Sequence, residues 1–402
     1  MFQQLTRLSP DSILGLMSKF RADTCTNKVD LGVGVFRDLA GNTPVLNCVR
    51  RAESAVLAAQ TTKSYVGAPG REEFNSHVES LVLGANHTAR RDRRVRTVQT
   101  PGGCGALRVG AELLRAAAPA TTVHVSDPTW GNHIPLLGSS GLALAKYPYY
   151  DAPAHELRFD AMLEHIERVP PGDVILIHGC CHNPTGADLS LTQWQTLAQV
   201  LENRGLIPFM DLAYQGFGAG LEADAAGIRW VAERVPEALI AVSFSKNLGL
   251  YRERVGALIS IGDSEERAGA MSSHMLQIAR SIYSMPPDHG AAIAAHIFAD
   301  AALTRDWIAE LDAMRTRLAD MRNLLADELR MKTGGQSFDF IRTQRGMFSL
   351  LGVSGAAVER LREQHHIYML GDSRMNVAGI MPHNAALVAA AIAGTIALER
   401  AA

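Results

Sequence analysis

The sequence predicts an α/β fold in which a mostly parallel central sheet is flanked by helices and joined to a smaller α+β domain. Three observations lead there. Apolar runs of strand length alternate with segments of helical periodicity, as expected for strands covered on both faces. The chain has 402 residues, beyond the ~250–300 at which a single core stops growing. After about residue 300 the alternation gives way to a long amphipathic stretch and short strand-like pieces.

In chain order, the strand candidates are TTVHVSD (121–127), LALAKYPYY (142–150), DVILIHG (173–179), LIPFMD (206–211), ALIAVSFS (238–245) and GALISIG (256–262). Each is short and dominated by apolar residues. Between them, LTQWQTLAQVLENRG (191–205) spaces its apolar residues for one helix face and closes on Gly205, a C-cap signal. Further on, TRDWIAELDAMRTRLADMRNLLADELRMK (304–332) reads as one long helix of mixed charge. FDFIRTQRGMFSLLGV and IYMLGDSRMNVAGI supply strand-like pieces, and an Ala-rich helix ends the chain. The expected division is a large domain over 44–300 and a small one combining 1–43 with 301–402.

Composition narrows the function. A net charge of -2 argues against a polyanion partner. Arg90, Arg91, Arg93, Arg94 and Arg96 crowd TARRDRRVRT, but no aromatics interleave, so a solvated turn or a subunit contact is the reading rather than nucleic-acid binding. The five cysteines include the adjacent Cys180 and Cys181 and show neither a disulfide framework nor zinc spacing, which points to a reducing compartment. His365–His366 lacks a second ligand pair, so no metal is expected. The opening residues lack a signal peptide's features, and no apolar run approaches the ~20 residues of a membrane helix. A soluble cytoplasmic protein is expected.

Of the 39 basic residues, 33 are Arg and six are Lys. A lysine in an apolar, strand-like segment therefore stands out, and Lys246 in ALIAVSFSKNLGL is the one that fits. An amine among apolar neighbours loses its charge readily and suits Schiff-base chemistry; a lysine reaching from a strand end to solvent is the plain alternative. Ser243, Ser245 and Arg254 lie nearby in sequence and suit an anchored phosphate monoester. The Gly-rich turn in TPGGCGALRVGAELLRAA (100–117) opens a helix whose N-terminus could cradle that phosphate, or it is simply a tight turn. Asp211 closes the apolar run LIPFMD and needs a cationic partner such as a protonated pyridine nitrogen, unless it caps a helix over LAYQGF. Tyr214 and Asn183 could hydrogen-bond a phenolic oxygen on the same ring, with Trp130 stacked on its face.

Ten segments in order, LGVGVF, SYVGAPG, TPGGCGALR, SDPTWGNH, HGCCHNPTG, DLAYQGF, SFSKNLGLYRERVG, ARSIYSMPP, RGMFS and GDSRMNVAG, give the chain an end-to-end resemblance to one family. It resembles the fold-type I, class I pyridoxal-phosphate aminotransferases, in the aspartate and aromatic-amino-acid branch. The resemblance implies a PLP-dependent transferase-like large domain with pyridoxal 5'-phosphate as cofactor and a homodimer with shared active sites. It implies that Lys246 bears the cofactor and moves a proton, that Asp211 holds the pyridinium proton, and that Tyr214 and Asn183 bind the ring's 3-oxygen while Trp130 stacks. Gly103, Cys104, Ser243 and Arg254 match the phosphate cup, and Tyr65 would reach the phosphate of the neighbouring subunit. Arg374 would clamp the substrate's α-carboxylate, Arg280 would cross the dimer interface to a side-chain carboxylate, and Gly34 sits in the closing segment. His133 and His178 match positions near Asp211.

Three residues depart from the family pattern. Cys104 stands where Thr or Ser is usual, Phe36 where Tyr is usual, and Met285 where Asn or Ser is common. The implied reaction is ping-pong transfer of an amino group from aspartate, glutamate or an aromatic amino acid to a 2-oxo acid such as 2-oxoglutarate. A specialised enzyme of a secondary biosynthetic pathway with a non-standard amino acid, and a lyase using the same cofactor, are the alternatives.

Overall fold

The computed structural model describes residues 1–7 and 11–401. Residues 8–10 and 402, all in the stretches expected to form the small domain, lie outside the described residues.

Seven strands build the central sheet: β1 (Val95–Pro101), β2 (Thr122–Asp127), β3 (Ala143–Pro148), β4 (Val174–His178), β5 (Ile207–Leu212), β6 (Ala238–Ser243) and β7 (Val255–Ile261), in the order β1-β7-β6-β5-β4-β2-β3. Neighbours from β6 to β3 pair in parallel, whereas β7 runs antiparallel to both β6 and β1. All six predicted strands are present. The seventh, β1, begins inside the Arg-rich segment read as a turn. It is an edge strand with only half of its residues facing a core, and its alternation is masked by Arg96, Thr97, Gln99 and Thr100.

Successive residues of a strand point to opposite faces, and here both faces are covered. Phe209 of β5 joins one apolar cluster with Leu176, Leu239 and the helix Gly102–Ala117. Its neighbour Met210 joins the other, with Ile177, Ile240 and Trp194. The helix Leu191–Arg204 is bounded as its sequence predicts: Ser190 and Gln193 form a reciprocal capping box, and Gly205 closes it in the left-handed conformation at φ 61°.

The helix Ala301–Thr333 spans two cores. Leu303, Trp307, Leu311 and Leu318 pack into the larger cluster, whereas Met321, Leu325 and Leu329 pack into a separate one with Val29, Ile367 and Met375. In that second core the two-residue strands Val29–Asp30 and Ile367–Tyr368 pair in parallel, so an N-terminal segment is stitched to the C-terminal region. The piece FDFIRT, expected to be strand-like, forms the short helix Phe340–Thr343 instead, and pairing resumes at Phe348–Leu350 against Arg374–Asn376. Among the described residues no helix is long and apolar enough to cross a membrane.

Candidate active site

Polar residues converge where the parallel strands end. The register sets His178 of β4 beside Asp211 of β5, and the turn after β6 carries Ser245 and Lys246. A cavity of about 230 Å³ opens there. Asp211 lies inside the strand and does not cap a helix, because the residues that follow it form turns. A strand-embedded carboxylate must find its partners across the sheet.

His133 is that partner. Its Nε2 lies 3.0 Å from Asp211 Oδ2, and its Nδ1 lies 2.8 Å from Thr129 Oγ1. An ionised carboxylate only accepts, so Nε2 carries the proton and Nδ1 accepts from the threonine hydroxyl. Burial pushes the Asp211 carboxyl upward, but the His133 hydrogen bond and the nearby Lys246 charge outweigh it and hold the group below its ordinary value. Asp211 Oδ1 has no hydrogen-bond partner among the described residues. Beside this pair, His178 is buried with both ring nitrogens unpartnered, and loss of solvation depresses its pKa to about 3, so the ring is neutral.

The Lys246 ammonium makes no hydrogen bond or ion pair among the described residues and rests 5.1 Å from the centre of the Tyr214 ring. Burial lowers its pKa, against the pull of Asp211. Tyr214 is itself buried, which raises its phenol.

Arg374 is the second unusual cation. It is 4% exposed, yet no carboxylate lies within ion-pair reach among the described residues. Its Nη1 donates to Asn183 Oδ1 at 3.1 Å, its Nη2 donates to Gly32 O at 3.0 Å, and its Nε is unpartnered. The guanidinium lies against the Phe348 ring, 4.2 Å from its centre. A buried charge without a counter-ion is costly, and an incoming anion removes that cost.

A third cationic feature faces the helix Gly102–Ala117. Arg254 Nη1 donates to Tyr251 O at 3.0 Å and contacts Ser245 Oγ at 3.4 Å. At Gly102, φ is 69° and a Cβ would lie 2.6 Å from Arg254 Nη2; at Gly103 a Cβ would lie 3.0 Å from Ser243 Cβ. Only bare backbone lets this helix start so close to the guanidinium and the serine. The free N–H groups of the first turn, an arginine and two serines make an anion cradle. Cys104 lines it, with its thiol pKa raised by burial.

Gly34, Gly103, Cys104, Trp130 and His178 all line this cavity with Asn183, Asp211, Tyr214, Ser243, Lys246, Arg254 and Arg374. Tyr65 and Arg280 do not. Tyr65 is 88% exposed, and Arg280 turns along its own helix to hydrogen-bond Ser284. Tyr65 lies between Ser64 and Val66 of a wider groove of about 770 Å³ that Lys63 and Met285 also line. That groove is the larger cavity, but the buried amine and the unpaired arginine are in the smaller one. Sequence reasoning missed Ile13, Tyr251 and Phe348 as lining residues. Tyr251 and Phe348 fall inside motifs already singled out, whereas nothing in the sequence marks Ile13. His133, His178 and Asp211 bring ligand atoms within 4.8 Å of one another, but His133 is hydrogen-bonded at both nitrogens, a relay rather than a metal centre.

An amine that sheds its proton easily, a carboxylate kept ionised and a built anion cradle, placed at the strand ends of this sheet, define an enzyme that works on amines through a phosphorylated carbonyl cofactor. The chain belongs to the aminotransferase class I and II family, which it matches over residues 26–392. It is 45% identical to an aromatic-amino-acid aminotransferase of Paracoccus denitrificans, covering 98% of this chain and 99% of that one. It is 44% identical to the aspartate aminotransferase of Escherichia coli K12, over 98% and 100%. Among solved structures, an aromatic-amino-acid aminotransferase from Burkholderia pseudomallei covalently bound to pyridoxal phosphate superposes with a TM-score of 0.96 at 42% identity, covering 98% and 99%.

This is a pyridoxal-phosphate-dependent aminotransferase, and its residues fit the cofactor. The cradle at Gly102–Gly103 suits the phosphate, Asp211 Oδ1 is free for a ring N–H, and the Lys246 amine is without a partner.

Proposed function

We propose that this aminotransferase moves the amino group of aspartate, glutamate or an aromatic L-amino acid to a 2-oxo acid such as 2-oxoglutarate, by ping-pong chemistry, as a cytoplasmic homodimer. The observation that carries the reading is the buried guanidinium of Arg374, without a carboxylate partner, in the same cavity as the Lys246 amine. Amino and 2-oxo acids share a carboxylate next to the reacting carbon, and one fixed arginine can hold both.

Pyridoxal phosphate, when bound, supplies an aldehyde for amines and a ring that withdraws electrons from the substrate's α-carbon. Arg254, Ser243 and the backbone at Gly103 and Cys104 hold its phosphate. Asp211, kept ionised by His133, holds the proton on the ring nitrogen. Asn183 and Tyr214 take the 3-oxygen, and Trp130 covers one ring face. Arg374 grips the α-carboxylate and so orients the α C–H. Lys246 Nζ, with its lowered pKa, would be the group that takes the proton from the substrate's α-carbon. Gly34 leaves room at the mouth, where a Cβ would already lie 3.0 Å from the Phe348 ring.

Tyr65 and Arg280 act on the partner subunit's cavity in this reading, Tyr65 at the phosphate and Arg280 at a side-chain carboxylate. The exposure of both, and the wide groove beside Tyr65, support that assignment. Relatives named for aspartate and for aromatic amino acids are nearly equally similar, 44% and 45% identical, and both substrate types are therefore proposed. The two apolar clusters support a large unit over 44–300 and a small one from 1–43 with 301–402, bridged by the helix Ala301–Thr333. The five unpaired cysteines support a reducing compartment.

Two measurements test the reading. Titrating the pyridoxal-phosphate-loaded protein with L-aspartate, L-glutamate and L-phenylalanine should bleach the visible absorption of the bound cofactor and rank the donors. Lys246→Ala should lower turnover by at least about 10³-fold while still binding cofactor. A spectrum indifferent to all three amino acids, or a Lys246→Ala variant with near-normal turnover, would overturn it.

A further inference from the structure

One carboxylate outside the cavity organises the loop that enters it. Asp188 Oδ2 accepts from Cys181 N at 2.7 Å, and its Oδ1 accepts from His182 N at 2.8 Å. Two consecutive backbone N–H groups thus converge on one carboxylate, an arrangement that fixes both peptide planes. Cys181 has φ 51°, a left-handed conformation that a non-glycine side chain adopts at some cost, and the paired hydrogen bonds hold it there. The next residue is Asn183, whose Oδ1 accepts from Arg374.

The far side of the loop is held as firmly. Gly186 N donates to His182 O at 2.7 Å, and Arg345 N donates to Gly186 O at 2.7 Å. At Gly186, φ is 70° and a Cβ would meet Phe348 O at 2.4 Å. Backbone contacts hold the loop against the Phe348 strand, the His182 ring meets Ser126 Oγ at 3.0 Å and Thr185 Oγ1 at 2.9 Å, and Asp188 anchors the two N–H groups of the leading edge. Asp188 is not among the residues that line the cavity, and its carboxylate is occupied by backbone on both oxygens. Burial raises the Asp188 carboxyl to about 6 and Asp224 adds to the rise, while the two backbone N–H bonds and the Arg345 charge oppose it.

We infer that Asp188 is the positioning residue for Asn183 and, through Asn183, for the substrate-carboxylate grip of Arg374. The inference rests on the reading of Arg374 and Asn183 given above and adds the part that aims them. A side-chain amide in place of the carboxylate can accept only one of the two N–H bonds and presents its NH₂ to the other. The Cys181–His182 peptide should then rotate, and Asn183 Oδ1 should lose its alignment with the guanidinium.

The test uses Asp188→Asn, Asn183→Ala and the double variant, each loaded with pyridoxal phosphate. The probe is 3-indolepropionate, a carboxylate with no amino group to react, and calorimetry gives its dissociation constant. A structure of an aromatic-amino-acid aminotransferase holding this acid exists among the similar proteins. Asp188→Asn should weaken the probe about tenfold, as expected for one misaligned hydrogen bond to a charged group, with stoichiometric cofactor retained. The double variant should bind no more weakly than Asn183→Ala alone, because Asp188 acts through Asn183.

Unchanged binding in Asp188→Asn overturns the inference, as do effects of the two single variants that simply add. If Asn183→Ala and Arg374→Ala both bind the probe normally, the fault lies in the proposed substrate site and the inference falls with it. Should Asp188→Asn not fold, Asp188→Glu keeps both oxygens and the charge but displaces them by one methylene. A several-fold weakening in Asp188→Glu, absent when Asn183 is Ala, supports the inference; equal weakening in both backgrounds overturns it.

Discussion

His133 and Asp211 form a buried pair, with imidazole Nε2 3.0 Å from carboxylate Oδ2 and side-chain exposures of 0% and 7%. The pair joins the helix His133–Gly138 to β5 and decides the protonation state of the carboxylate in the cavity. His133→Phe removes the hydrogen bond and leaves the Lys246 charge to oppose burial without it, so the Asp211 carboxyl should rise. Because the group is ionised only above its pKa, the acid limb of the rate profile should move to higher pH. Losing a hydrogen bond to a charged group costs about 1.5–3 kcal/mol, or roughly 10- to 150-fold in kcat. Steady-state rates from pH 5 to 9 would show both effects, and an unmoved acid limb would separate His133 from Asp211 function.

In the proposed grip, Arg374 would meet the substrate carboxylate at two points from a planar fork that lysine cannot copy. Arg374→Lys should raise KM for the amino acid about 10- to 100-fold, equivalent to about 1.5–3 kcal/mol, with a smaller effect on cofactor binding. Initial rates over a wide substrate range, together with cofactor stoichiometry by absorbance, would separate the two. A cofactor defect as large as the KM defect would point to a general collapse of the cavity.

Cys104 stands at the first turn of the helix Gly102–Ala117, where a hydroxyl would donate a stronger hydrogen bond than a thiol. Asn132 Nδ2 is 4.0 Å from its sulfur. Cys104→Ser should tighten pyridoxal phosphate about 2- to 10-fold, the equivalent of about 0.5–1.5 kcal/mol. Equilibrium dialysis of the cofactor-free protein measures this directly, and weaker binding in the serine variant would mean the thiol packs better than it donates.

Asp23 closes the helix Ser12–Ala22, whose other end brings Ile13 to the cavity. Its Oδ2 accepts from Tyr368 Oη at 2.6 Å and contacts His366 Nδ1 at 2.7 Å. The Tyr368 hydroxyl, then the Cys25 N–H and His366, draw its pKa from 3.8 down to about 2. A depressed carboxyl stabilises the fold at pH values above 3.8 and loses that contribution as pH falls towards 2. Tyr368→Phe should therefore lower the urea midpoint at pH 6, and the difference from the parent should shrink steadily between pH 4 and pH 2.5. A constant difference across that range would show that the effect does not depend on the charge of Asp23.

Much of this was legible in the sequence because burial leaves a composition signature. Lys246 stood out as a lysine among apolar residues in an Arg-rich chain, and Asp211 as a carboxylate ending an apolar run. Other features left no such trace. Asp211 in isolation read equally as a helix cap or as a carboxylate with a cationic partner, and it takes the turns that follow it and its pairing with His133, distant in sequence, to rule out the cap. The strand β1 was hidden because an edge strand needs no continuous apolar run, and FDFIRT was misread because four helical residues carry no periodicity. Ile13 reaches the cavity only through the path of its helix.

The sequence by itself determined which elements would be buried, where the parallel strands end and which ionisable residues sit at those ends, because the chain must place apolar runs away from water whatever the final topology. Tertiary structure alone decided the relationships that make those residues useful. Among the described residues Arg374 has no counter-ion, Asp211 has one oxygen bonded and one without a partner, and Tyr65 and Arg280 lie outside the cavity lining. Each is a matter of which groups meet across strands, helices and cores far apart in the chain, and pairing at such distance is set by packing rather than by local sequence.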